Sequence, residues 1–245
     1  CNMGKIVGAV GTLAFLAALA YVGLTGAFRF GAIDFATVFQ ALQPLTFALL
    51  GLGALALLAG LLGLVRSRPG TGGFALIAGI AALASAFGPM TMKSQADKVP
   101  PIHDITTDMK YPPAFVEVRD IRMADENLNS TDYNPEIAAQ QQEAYPDLGT
   151  VRFEQPYEDV FQASIEVLES MGLEIVGMDE NAGRIEATAT TAWWGFKDDV
   201  VVRVNRFREP VEVDVRSSSR VGVSDLGVNA KRIETFLANL EEKLG

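Results

Sequence analysis

The chain has 245 residues, of which 49% are hydrophobic and only 20% charged, with a net charge of −10 at neutral pH. That balance is too apolar for an ordinary soluble domain, where about a quarter of residues are charged. It is also too acidic to favour DNA or RNA, whose phosphates repel a negative surface, and the single cysteine, Cys1, excludes an intrachain disulfide or a cysteine metal cluster.

The average hides two different polymers. Residues 1–95 hold Lys5, Arg29, Arg66, Arg68 and Lys93 against one acid, Asp34, so the negative charge belongs to the second part. Cys1 leaves two readings open: the lipidated first residue of a mature lipoprotein, or an incidental residue ahead of a natural start near Met3. The second is favoured, since a lipid anchor is redundant ahead of a spanning helix.

Three apolar runs follow, about Ile6 to Leu24, Leu45 to Val65 and Phe74 to Met92. About 20 such residues are needed to cross ~30 Å of hydrocarbon at 1.5 Å per residue. Each run is apolar all round, unlike an amphipathic surface helix. An uncleaved signal peptide mimics the first run, but not the other two. Between the first two, Phe28, Arg29, Phe30, Asp34 and Phe35 suit the headgroup layer. Residues 35–42 are expected to form a short surface helix, with Pro44 marking the start of the next span.

The turn Arg66-Ser67-Arg68-Pro69-Gly70 carries two arginines and no acid. By the positive-inside tendency it is cytoplasmic, which puts the acidic part across an inner (cytoplasmic) membrane, in the periplasm. Lys93 and Lys98 pull against that orientation, and a lipidated Cys1 would invert it. Small residues recur at helical spacing, at Gly4 and Gly8, Gly60 and Gly63, Ala75 and Gly79, and Ala78 and Ala82. They permit close helix packing in lipid, although Gly and Ala are common in spans anyway. No ionisable residue falls at mid-membrane depth, where transporters and proton pumps place theirs. An anchor, or a docking surface for another membrane protein, is the expectation.

The chain then divides into a helical bundle over 1–93, an irregular connector over 94–150 and an α+β domain over 151–245. Pro100, Pro101, Pro112, Pro113, Pro135 and Pro146 punctuate the connector, with a short helix expected from Asn134 through Gln142. Tyr157 to Met171 reads as an amphipathic helix ending at Gly172. Four strands follow: Leu173 to Met178, Arg184 to Thr191, Lys197 to Phe207 and Val211 to Ser217. A last helix covers Ala230 to Leu244, burying Ile233, Phe236, Leu237 and Leu240. The expected fold is therefore three transmembrane helices plus an antiparallel four-stranded sheet packed by two helices, similar to the helix-grip type.

Three stretches resemble the domain-of-unknown-function 1499 family. They are Pro100-Pro101-Ile102-His103-Asp104-Ile105-Thr106-Thr107-Asp108 with Pro112, Pro113 and Phe115; Glu186-Ala187-Thr188 with Phe196-Lys197-Asp198-Asp199-Val200-Val201-Val202-Arg203; and Asp214 through Gly222, continuing by Ser224-Asp225-Leu226-Gly227-Val228-Asn229-Ala230 to Arg232-Ile233. The resemblance covers about residues 98–240. It implies an exported or lumenal domain, often with N-terminal spans, and offers no established biochemical activity to carry over.

Several constellations bear on chemistry. Arg216 and Arg220 flank Ser217, Ser218 and Ser219 near a helix start, a set suited to a phosphate or carboxylate. The favoured alternative is internal pairing, with Arg203, Arg216 and Arg220 neutralised by Asp198, Asp199, Asp214 and Asp225 in a polar network that includes Asn229. His103, the sole histidine, lies beside Asp104 and near Asp108. Metal ligation or proton relay is one use for such a trio, and hydrogen bonding of connector to domain the favoured one. The serines lack a Gly-x-Ser-x-Gly elbow, and His103 is the only histidine base available to them. Trp193-Trp194-Gly195-Phe196 suits a ligand platform or a membrane or partner contact, with alternation sending one tryptophan inward.

No metal, cofactor or catalytic set is assigned from these residues. The leading expectation is a non-enzymatic accessory, assembly or scaffolding subunit, in contact with membrane lipid and other membrane protein subunits but not nucleic acid. An envelope domain that binds a small anion or lipid headgroup through Arg203, Arg216, Ser218, Arg220, Trp193 and Trp194 comes second, and an enzyme third.

Overall fold

The computed structural model describes residues 2–66 and 68–245. Cys1, and Ser67 within the arginine turn, lie outside the described residues. The chain separates into two compact units, 1–94 and 95–245.

The first unit holds three helices long and apolar enough to span a bilayer: α1 (Met3–Arg29), α2 (Phe35–Val65) and α3 (Pro69–Ala96). At 27 to 31 residues, each is about 40–46 Å long, more than the hydrocarbon needs. The expected surface helix over 35–42 is instead the first part of α2, which runs unbroken through Pro44. Asp34 starts it by accepting from the Thr37 backbone N–H at 2.7 Å and from the Thr37 hydroxyl at 3.1 Å. Proline forfeits one helix hydrogen bond, a loss that helices of this apolar kind accommodate. Pro89 lies inside α3 in the same way.

Small residues hold this unit together. A Cβ on Gly60 would stand 2.9 Å from the Gly72 carbonyl oxygen, and one on Gly72 equally close to that of Gly60. Gly79 and Gly53 face each other likewise, and Gly11 abuts the backbone of Ala75. Such approaches are open only to residues without a Cβ. The larger apolar side chains, among them Leu16, Leu19, Phe47, Leu58 and Ile77, point outward.

The second unit is a sheet domain. Its elements are β1 (Asp104–Thr106), α4 (Glu117–Met123), a 3-10 turn at Pro135–Ile137, α5 (Ala138–Ala144), β2 (Val151–Phe153), α6 (Tyr157–Ser170), β3 (Glu174–Asp179), β4 (Arg184–Thr190), β5 (Lys197–Asn205), β6 (Val211–Ser219) and α7 (Val228–Leu244). The sheet has six strands, not four. Its order is β1-β6-β5-β4-β3, all antiparallel, with β2 also on β6. The two added strands lie along the same edge of β6, β1 against Arg216–Ser218 and β2 against Val211–Val213. β1 comes from the proline-rich stretch read as an irregular connector, and β2 from residues 151–153 directly after it. Each is three residues long, too short to display the alternation that betrays a strand.

Alternation assigns the two faces of this sheet. Val200, Val202 and Val204 of β5, Val211, Val213 and Val215 of β6, and Ile185 and Ala187 of β4 share one face. There α6 and α7 bury Val160, Val167, Leu168, Ile233, Phe236 and Leu240 against them. The opposite face presents Glu186, Thr188, Asp199, Arg203, Asp214, Arg216 and Ser218, nearly all buried as well. They are covered by residues 107–133, whose Phe115 and Val118 pack on Val201 in a small apolar island.

Candidate functional site

Burying charge without a partner costs several kcal/mol, so carboxylates and guanidiniums on the covered face are expected to find one another. Arg216, from β6, meets Asp104, from β1, in a two-pronged pair: Nε to Oδ1 at 2.9 Å and Nη2 to Oδ2 at 2.6 Å. It also donates to the carbonyls of Pro113 and Thr131. Its guanidinium also stands 4.9 Å from the Phe115 ring centroid and 5.5 Å from that of Tyr133, within cation–π range. The side chain is 2% exposed.

Asp199, fully buried on β5, serves two arginines. Arg220 grips both its oxygens, at 2.9 and 2.8 Å, and Arg122 of α4 donates to Oδ2 at 2.8 Å. The Thr188 hydroxyl adds a 2.7 Å bond to Oδ1. Arg122 continues to the Ser218 carbonyl at 2.6 Å and its hydroxyl at 3.3 Å. Glu186 accepts the backbone N–H groups of Val116, Glu117 and Val118, satisfying donors at the start of α4 that a helix leaves without partners. Arg184 Nε stands 3.0 Å from the same carboxylate. At the edge, Arg203 joins Asp108 at 2.9 Å and Asp214 at 2.7 Å. Asp214 also accepts from the Thr107 and Thr150 hydroxyls.

A second polar cluster closes the helix-covered face at the start of α7. Arg232 pairs with Asp198 at 2.6 Å and donates to the Ser217 hydroxyl at 2.9 Å. Asn229 accepts from that hydroxyl and donates to Ser219 Oγ and to the carbonyl of His103. Asp225 accepts from the backbone of Gly227 and Asn229; burial pushes its carboxyl above the usual carboxylate range. Burial lowers the His103 imidazole, against the opposing charge of Asp104.

The sequence-derived candidates thus fall into separate places. Arg203, Arg216, Ser218, Arg220, Asp104, Asp108, Asp199 and Asp214 lie on the covered face, whereas Asp198, Asp225 and Asn229 lie at the start of α7. His103 joins the latter through its backbone. Trp194 is buried and stacks on Phe196 at 5.6 Å, while Trp193 is 59% exposed. Among the described residues, no group of three or more His, Cys, Asp or Glu is placed to hold a metal ion.

Sequence reasoning missed Arg122, Glu186, Thr188 and Arg232 as members of these clusters. Glu186 and Thr188 alternate with apolar residues, as solvent-facing positions do, and nothing local signals that a distant segment covers them. Arg122 carries one clue, standing four residues after Val118 on the same helical face.

The sequence of this domain matches the family model for a protein of unknown function, DUF1499, over residues 104–240. The chain belongs to the DUF1499 family. The matched stretch begins with Asp104, the partner of Arg216, and ends with Leu240, buried under the sheet. No curated protein matches the chain. The DUF1499 region therefore takes in both polar clusters and the covering segment.

Proposed function

We propose that this DUF1499 protein is a non-enzymatic accessory, assembly or scaffolding subunit of a larger membrane protein complex. Its helices lie in the inner membrane, with the sheet domain on the periplasmic side, opposite the Arg66 and Arg68 turn. One observation carries this reading: the charged side chains most suited to chemistry or ligand binding hold the domain's own segments together. Arg216 binds Asp104, while Arg122 and Arg220 share Asp199. Such a domain presents a rigid surface, the property a scaffold needs.

The small-residue faces of the helices lend less support to lateral docking than their spacing implies, because Gly60, Gly63, Ala75, Ala78, Gly79 and Ala82 are buried within the helical unit. The outward Leu, Ile and Phe side chains suit either lipid or a partner's helices. The alternative, a small anion or lipid headgroup held by Arg216, Ser218 and Arg220, loses support from the same pairs, since a ligand would have to displace buried aspartates.

Affinity purification from membranes in a mild detergent, with quantitative mass spectrometry, tests the proposal. A fixed set of membrane proteins at constant stoichiometry is expected. A monodisperse monomer with no co-purifying protein would overturn it.

A further inference from the structure

The two margins of the sheet differ in length. At one, the outermost strands are β1 and β2, three residues each. At the other stands β3, six residues long, which pairs with β4; among the described residues no strand pairs with its other side. Alternate residues of an antiparallel strand direct their N–H and C=O groups away from the existing partner. A strand of this length with one free side is a template for a further strand.

The packing on both faces reaches this margin and stops half-finished. α6 packs on β3 over one face and α4 over the other. Ile175 is only half-buried against the helix-covered core, and Val176 only half-buried against the island of Phe115, Val118 and Val201. Met178 is 57% exposed and Ile121 of α4 is 43% exposed. Gly177 backs directly on the Glu117 side chain, and Ile121 stands one turn further along the same helical face. An added strand would find apolar positions to cover on each side.

Charge decides which strand fits. Glu174 and Glu180 at the two ends of β3, and Glu117 and Asp120 on α4, are exposed, with Asp179 half-exposed. Of the neighbouring bases, Arg184 is held by Glu186 at 3.0 Å, with Glu117 and Asp179 each at 3.9 Å, and Arg119 is exposed on α4. A second copy pairing antiparallel on β3 would set Glu174 against Asp179, like charge against like. Val176, the extra residue between the pairs Ile175–Ala187 and Gly177–Glu186, adds a bulge that discourages chance pairing. A strand bearing lysine or arginine meets the opposite sign at both ends.

We propose that the open edge of β3 docks an extended basic segment of a partner protein, alternating lysine or arginine with apolar residues, as a seventh strand. Backbone bonds along β3 supply the affinity, and the acids with Met178 and Ile121 supply the selection. This names the partner chemistry of the scaffold reading and rests on that reading for the existence of a partner.

A labelled, end-blocked peptide Lys-Val-Lys-Val-Lys-Val-Lys tests it on the full chain in a neutral detergent, by fluorescence anisotropy against empty micelles. Binding is expected, weakened about tenfold when glutamate replaces each lysine, and about tenfold when alternate backbone nitrogens are methylated with the side chains unchanged. The double variant Glu174→Lys, Glu180→Lys, altered only at exposed positions, should reverse the preference between the basic and acidic peptides. Hydrogen exchange locates the contact: the basic peptide should slow amides within 174–179 and leave β1 and β2 unchanged. Equal binding of the methylated peptide, protection elsewhere, or no binding would overturn the inference. So would protection of β3 that grows with protein concentration in the absence of peptide, which assigns the edge to a second copy. Peptide binding is read without any complex, so co-purifying subunits with no peptide binding would sink this inference alone. Peptide binding with no co-purifying protein would leave the edge as a strand-docking site and count against the scaffold reading.

Discussion

The two faces of the domain's sheet are buried to similar degrees by opposite chemistry. On one, valines and isoleucines meet α6 and α7, and stability accrues with apolar area. On the other, arginines and carboxylates meet under residues 107–133, where removing one partner leaves an uncompensated buried charge. The apolar face is forgiving of gradual change. The polar face is all-or-none, and so fixes one arrangement of strand, covering segment and helix.

This contrast can be broken most sharply at Asp199, fully buried and shared by Arg122 and Arg220. Asp199→Ala strands both guanidiniums and is expected to cost about 5 kcal/mol, enough to unfold the domain of many proteins. Thermal unfolding of the full chain in detergent, followed by tryptophan emission, checks it, since both indoles lie in the sheet domain. On the apolar face, Ile185→Ala leaves a cavity and should cost about 3 kcal/mol, with the domain still folding cooperatively in the same assay.

A double replacement sharpens the comparison further. Arg216→Met alone is expected to cost about 3 kcal/mol by orphaning Asp104, whereas Asp104→Leu together with Arg216→Met should return to within about 1–2 kcal/mol of the parent. The residue of that cost is the pair of carbonyls, Pro113 and Thr131, that lose their donor. Equal losses in single and double variants would show that the pair is not what holds the cover.

The smallest effect is a pH slope. Burial depresses the His103 pKa below its ordinary 6.5, so the unfolded chain binds the proton more readily than the folded one. Stability should therefore fall as pH drops through 6.5 toward the depressed value. Asp225 runs the other way: its raised pKa favours the folded form as pH falls toward the carboxylate range. His103→Asn should flatten the first slope and leave the second, as read from unfolding midpoints across pH.

The same contrast governs what the sequence disclosed. The three spans show as unbroken apolar length, while α6, α7 and the four longer strands are periodic, and periodicity follows directly from which side chains touch a common surface. The helical limits lie several residues outside the apolar runs because a proline does not by itself end a helix: Pro44 sits inside α2, and Pro69 opens α3, where a missing N–H costs nothing. The short strands β1 and β2 left no pattern. Internal pairing of Arg203, Arg216 and Arg220 was foreseeable from the surplus of nearby acids. Of the expected acids, Asp199 and Asp214 do meet Arg220 and Arg203, but Arg216 takes Asp104, more than a hundred residues away in sequence. A contact over such a distance depends on the fold, not on local spacing. Arg122 entered for the same reason, carried in by a short helix that Glu186 caps from the sheet.

Hydrogen exchange on the full chain tests the central claim most directly: that the polar face is a sealed structural joint and not a ligand site. The amides of Val116 and Val118, held by Glu186, should exchange as slowly as those of β5 and β6, and added phosphate should change nothing. Rapid exchange at these amides over a protected sheet, slowed by phosphate, would contradict it by showing a cover that opens onto an anion site.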